Sequence, residues 1–395
     1  MLKNGSEERE YKSEAPSLSS LSSKYNDPTV LSFNQSYRSF CSSYSNTTAL
    51  LISSVPLREK FRAPKNPIVL CHGLSGFDKL ILIPSLTQLT KLLYNHLQGL
   101  NRESFIVDHS NSEELGNRGI LEVEYWIGVK ERLEQKGCTV ITASVPSFGS
   151  IEERATILNA FLETETQKLK QTASKGQVYN TSEESTDETF EKDDRIRLNL
   201  IAHSMGGLDC RYLISKIPDK SYQVLSLTTI STAHRGSEMA DYVVNLSEDL
   251  RKLIAFEAPV ILLPPCFYEL TTEYMKYFNE RVLNEPAVSY YSYGSFFKPK
   301  WHNAFYTSWK IIDNSSNGNP NDGLVSVQSS KWGQYQGTLA NVDHLDLINW
   351  RNKIRRDIGK LLENTNHSLE QKVKPDIDIL NFYLAIADNL ASKGF

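Results

Sequence analysis

The stretch Leu198-Asn199-Leu200-Ile201-Ala202-His203-Ser204-Met205-Gly206-Gly207-Leu208 constrains this chain more than any other. Leu198, Leu200 and Ile201 read as a short buried strand, and Gly206 and Gly207 open a helical run through Leu208, Tyr212 and Leu213. Ser204 stands at the junction. A serine on a sharp strand-to-helix turn, with small residues two positions before and after it, is a nucleophile elbow. Ala202 and Gly206 are small enough to let such a turn close, with Ala202 where glycine is commoner.

Composition excludes several functions. The 395 residues carry a formal net charge of −4, so no basic field points to a nucleic-acid partner. The five cysteines are scattered without a CxxC pair. Cys71, Cys138 and Cys210 fall in or beside core elements and read as small buried hydrophobes. No apolar run reaches the ~18 residues that a membrane span needs.

Residues 1–60 are rich in Ser, Tyr and Asn and are expected to form a largely disordered extension. They lack the apolar stretch of a secretory signal, and Glu7, Glu8, Glu10 and Glu14 are out of place in a transit peptide. Residues 61–395 should form one large domain. Residues 67–71 are a buried strand, and His72-Gly73-Leu74-Ser75-Gly76 is the turn after it. Helices are expected over 80–96, 122–136 and 151–170, and a further strand over 138–143. Residues 98–118 and 171–194 read as polar insertions. A strand over 224–230 and a helix from Ser237 to Val244 follow. Residues 245–285 carry more apolar surface than a connector needs and are expected to form a mobile helical lid or cap. A strand over 288–294 comes next. Strands alternating with helices give a mostly parallel central sheet with helices on both faces, here an α/β-hydrolase fold.

Chain order in that fold selects the partners of Ser204, because the acid follows the serine and the histidine comes last. His72, His96, His109 and His203 precede the serine. His234 leaves no room for the acid, His302 has no late strand end ahead of it, and His367 lies in a polar stretch. His344, in a loop leading into Leu347 and Ile348, remains as the base. Asp322 in an Asn-Asp-Gly turn is the acid; Asp343 is the rival, but neighbours in sequence usually point apart. The expected catalytic residues are therefore Ser204, Asp322 and His344. The backbone N–H groups of Leu74 and Met205 are the expected oxyanion hole.

Together with Thr232-Ala233-His234-Arg235-Gly236-Ser237, Asn321-Asp322-Gly323-Leu324-Val325 and His344-Leu345-Asp346, the elbow resembles that of the true lipases typified by Pseudomonas and Burkholderia. The runs from Asn66 to Val69 and from Cys71 to Leu80, Tyr125-Trp126-Ile127-Gly128-Val129, Gly149-Ser150-Ile151-Glu152-Glu153-Arg154 and Ile379-Leu380-Asn381-Phe382-Tyr383-Leu384 resemble the mitochondrial triacylglycerol lipases of budding yeasts. The resemblance implies long-chain tri- and diacylglycerol substrates met at a lipid surface, with peripheral membrane or droplet contact. It implies a mitochondrial location, with the cytoplasm or a lipid-droplet surface as alternatives. The bacterial relatives hold calcium near the histidine loop. Here only Asp346 matches a ligand and Trp350 replaces another, so no metal and no cofactor is expected. Two rival functions stand beside this one: another serine esterase or phospholipase using the same residues, and a catalytically idle protein that binds lipid surfaces.

Overall fold

The fold is built on strands whose middles are buried. A computed structural model describes residues 51–52, 61–74, 125–174, 194–253, 263–301, 303, 305–350 and 377–395. Seven strands form one sheet: β1 (Leu51–Ile52), β2 (Ile68–Cys71), β3 (Val140–Thr142), β4 (Ile196–His203), β5 (Tyr222–Ile230), β6 (Ser289–Phe296) and β7 (Gln334–Ala340). Their order is β1-β7-β6-β5-β4-β2-β3, and every neighbouring pair is parallel. A parallel sheet covered on both faces needs apolar residues facing both ways. Ile68, Leu70 and Ile201 join one core with Tyr293 and Phe382, while Val69, Leu200 and Ala202 join the other with Leu158 and Leu213.

Helices follow the strands: α1 (Val129–Glu134), α2 (Ile151–Ser174), α3 (Gly206–Lys216), α4 (Glu238–Leu253), α5 (Pro265–Glu269), α6 (Thr272–Arg281), α7 (Tyr306–Ser315), α8 (Val327–Ser330) and α9 (Ile379–Ser392). α1 and α9 supply the first core, α2 and α3 the second. From β2 the chain moves outward to β3, then returns to the other side of β2 as β4 and proceeds outward through β5, β6 and β7. The order reverses between β2 and β4. In such sheets the crevice beyond the carboxyl ends of the strands at the reversal receives ligands. The turn after β2 and the elbow after β4 meet there.

Several sequence expectations change. The helix expected over 122–136 begins only at Val129, because Gly128 takes a left-handed conformation (φ 71°) and turns the chain. Gly137 (φ 87°) ends that helical stretch, as expected. Leu51–Ile52 lie inside the stretch expected to be disordered, yet they pair with Thr338 and Leu339 at the sheet edge. The helix after Ser237 runs to Leu253, well past Val244. β7 was absent from the sequence reading. The helix expected over 80–96, the insertion 98–118 and most of the second insertion, 175–193, lie outside the described residues.

The lid or cap expected over 245–285 overlaps the helix before it. Residues 245–253 are the end of α4. Residues 263–285 are a cap tied to the body: Asp241 accepts from Thr272 N–H and Oγ1 at 2.8 and 2.9 Å, Ser237 N–H donates to Leu270 O, and Arg211 Nη2 donates to Val282 O. Met275 and Phe278 are buried against Met205 and Leu208. Residues 254–262 lie outside the described residues.

Candidate active site

Ser204 holds φ 55°, a left-handed conformation rare for a serine. It is held there: Ser204 N–H donates to Ile230 O at 3.0 Å and Gly207 N–H donates to Ser204 O at 3.1 Å. The strand enters under it and α3 leaves from it. A Cβ added to Gly206 would lie 2.5 Å from His72 O, so only glycine lets α3 start this close to the turn after β2. The strained backbone lifts a half-buried Ser204 above an otherwise buried stretch.

Asp322 leaves the turn between β6 and β7, and His344 follows β7. Asp322 Oδ2 accepts from His344 Nδ1 at 2.8 Å, and His344 N–H donates to Asp322 O at 3.0 Å. The carboxylate is fully buried and saturated: Oδ1 accepts from Leu324 and Val325 N–H, and Oδ2 also accepts from Ser295 Oγ at 3.3 Å. With Nδ1 donating to the carboxylate, neutral His344 presents Nε2 as an acceptor. Asp343, the rival acid, instead accepts from Leu345 and Asp346 N–H with its Oδ1.

The His344 ring lies 4.5 Å, centroid to centroid, from the ring of His203, the residue before Ser204. On the other flank stands the turn after β2. Neither Leu74 N–H nor Met205 N–H makes a hydrogen bond among the described residues, and Met205 is the N-cap of α3. The Asp322–His344 pair thus stands against His203, the neighbour of Ser204, and the turn after β2 approaches Ser204 at the sheet reversal.

Sequence comparison decides the family. Triacylglycerol lipase 2 of Saccharomyces cerevisiae is 53% identical over 346 residues, which cover 88% of this chain and 97% of that protein. The chain belongs to the triacylglycerol lipase family. This lipase is therefore a carboxylic ester hydrolase. It is also similar to the triacylglycerol lipase of Vibrio cholerae, 25% identical over 74% of this chain and 82% of that protein. The Staphylococcus hyicus lipase structure matches 85% of this chain and 98% of its own at 19% identity and a TM-score of 0.47, too loose a likeness to add to the assignment. No protein-family model matches the chain. No described helix of the lipase is long and apolar enough to cross a membrane.

The sequence reading missed what braces the turn after β2. His72 Nδ1–H donates to Gly73 O at 2.9 Å, and its Nε2 accepts from Val145 N–H at 3.1 Å. Burial and the charge of Arg154 hold that imidazole down to about 3. Arg154 on α2 donates through Nη2 to both His72 O and Gly73 O, at 3.0 and 3.1 Å. Its charge is met by Asp209 on α3 at 2.7 Å, both fully buried. Burial pushes the Asp209 carboxyl up to about 6 against that attraction. Gly149-Ser150-Ile151-Glu152-Glu153-Arg154 stood out by resemblance; its role as a clamp on the turn had no sequence signal. Tyr125 and Trp126 are core, as expected, but the Tyr125 hydroxyl also reaches the site. Among the described residues no group of three or more His, Cys, Asp or Glu is placed to hold a metal.

Proposed function

We propose that this lipase hydrolyses long-chain tri- and diacylglycerols through an acyl-enzyme on Ser204. The observation that carries the reading is the buried Asp322–His344 pair beside a serine at positive φ. His344 Nε2 takes the Ser204 proton as Oγ attacks the ester carbon. The carbonyl π pair moves onto oxygen, where the Leu74 and Met205 N–H groups receive the negative charge. The intermediate collapses, the C–O bond to the glycerol breaks, and the imidazolium returns its proton to the leaving alkoxide. Water repeats the sequence on the acyl-enzyme and releases the fatty acid. Asp322 stabilises the imidazolium and fixes its tautomer.

The relative named a triacylglycerol lipase supports the substrate class. The resemblance to mitochondrial lipases of budding yeasts supports a mitochondrial lipase acting peripherally at a lipid surface. The deciding experiment measures fatty acid released from long-chain triacylglycerol by purified protein beside its Ser204→Ala form, with a phospholipid and a short soluble ester in parallel. Release from triacylglycerol that disappears in Ser204→Ala supports the proposal. Hydrolysis confined to phospholipid or to the soluble ester would assign another ester class, and absence of reaction with an active-serine phosphonate would make the protein an idle lipid binder. Subcellular fractionation tests the location.

A further inference from the structure

One side chain joins the turn after β2 to the elbow without touching the reacting atoms. Tyr125 is buried in the turn ahead of α1, packed against Trp126 and His72. Its hydroxyl oxygen accepts from Gly73 N–H at 2.9 Å and lies 2.6 Å from His203 Nδ1. The buried phenol proton needs an acceptor, His203 Nδ1 stands in reach of it, and a neutral His203 accepting there carries its own proton on Nε2. Gly73 is bonded to Leu74, an expected oxyanion donor, and His203 is bonded to Ser204. A single hydroxyl therefore holds the residue before the donor and the residue before the nucleophile.

We propose that Tyr125 is a positioning residue that sets the spacing of the oxyanion turn and Ser204, with His203 as the acceptor that aims its hydroxyl. The proposal rests on the reading of Ser204 as nucleophile. A hydroxyl in this dry aromatic packing must be hydrogen-bonded. Burial pushes the Tyr125 phenol up, so it stays protonated and donating. Burial and the neighbouring His344 hold the His203 imidazole well below its usual range, so the ring stays neutral and keeps one nitrogen free to accept. Phenylalanine at 125 would keep the ring packing and leave Gly73 N–H without its acceptor. The His72–Gly73 peptide then loses one of its ties, and the turn that carries Leu74 N–H, still held at its carbonyls by Arg154, is set less closely against Ser204.

The test is a set of variants assayed per active site, with sites counted by phosphonate titration. Losing one oxyanion donor costs on the order of 10²–10³ in kcat, so tilting one should cost about tenfold. Tyr125→Phe is expected to lower kcat about tenfold with KM within about twofold and to slow phosphonate labelling equally. His203→Leu should match it, whereas His203→Gln, which keeps an acceptor for the phenol, should recover most of the rate. The double variant Tyr125→Phe/His203→Leu should be no slower than either single one. Wild-type kcat in Tyr125→Phe, multiplicative losses in the double variant, or equal loss in His203→Gln and His203→Leu would each overturn the proposal. Ser204→Ala belongs in the same series: if it remains active the nucleophile reading fails and the proposal with it, and if it is dead while Tyr125→Phe is unimpaired the proposal fails alone.

Discussion

A Cβ on Gly73 would lie 2.6 Å from the Cβ of Ser204. Two carbons cannot share that space, so the turn after β2 approaches the nucleophile only because residue 73 has no side chain. Gly73→Ala is expected to push the turn back, lower kcat on the order of 100-fold and cost about 1–3 kcal/mol of stability from overpacking. Steady-state kinetics and thermal unfolding of the variant check both. Unchanged kcat would place the oxyanion donors elsewhere.

Asp322 and Asp343 differ in what they hold. Asp322 accepts from the imidazole; Asp343 accepts from two backbone N–H groups of its own turn. Asp322→Asn should lower kcat on the order of 10⁴-fold, because the amide can donate to Nδ1 and leave the wrong tautomer. Asp343→Asn keeps an acceptor oxygen for the turn and should change kcat by less than about tenfold. A reversal of that order would exchange their roles.

The cap over 263–285 is fixed by burial as well as by polar ties. Met275→Ala or Phe278→Ala should destabilise the protein by about 2–5 kcal/mol, the usual cost of emptying a core site. Activity on a short soluble ester and on dispersed lipid should fall together as the protein unfolds. A normal melting temperature, with loss confined to the lipid substrate, would restore a mobile lid.

Acid stability follows from three histidines. His72, His203 and His234 are each held below their ordinary value, first of all by burial. The unfolded chain therefore binds more protons than the folded one below about pH 6.5, and stability rises with pH through that window. Each such group is worth about 1.4 kcal/mol per pH unit. Asp209 works in the opposite sense between 3.8 and about 6, because its raised pKa lets the folded state keep a proton that the unfolded state releases. Melting temperatures should be level above pH 7 and fall steeply toward pH 5. Equal melting temperatures at pH 5 and pH 8 would contradict the buried neutral state of these rings.

Chelation should leave the enzyme unaffected. Asp346, the one residue that matches a calcium ligand by the resemblance, accepts from Asp343 N–H through Oδ2 at 3.1 Å. Activity and melting temperature in EGTA should match those in buffer. A fall reversed by calcium would reveal a site.

The legible parts of this fold were those with strong local signals. β2 is buried throughout and shows as an unbroken apolar run, while β4 and β5 are buried along most of their length and show as apolar runs broken by Asn199, Ser226 and Thr228. The positive φ of Ser204 agrees with its small flanks, and the Asp322–His344 contact agrees with the chain order that singles out the two residues. β7 did not show, because Gln334, Tyr335 and Gln336 lie toward the sheet edge and only Gly337, Thr338 and Leu339 are buried. The start of α1 was missed because the apolar spacing of Tyr125 and Trp126 looks helical until Gly128 turns the chain. The Arg154–Asp209 and Tyr125–His203 contacts join residues 55 and 78 positions apart, and no local pattern connects them.

Without β1, the outer side of β7 at Thr338 and Leu339 would carry backbone N–H and C=O groups that no other described strand pairs. Leu51 and Ile52 occupy part of that rim opposite Thr338 and Leu339. A chain shortened to begin at residue 61, where the sequence places the domain boundary, would keep every proposed catalytic residue and bare the rim. Such an edge is a template for strands from other molecules. Trimming the short segment is therefore expected to cost solubility before it costs activity, because the proposed chemistry lies several strands away.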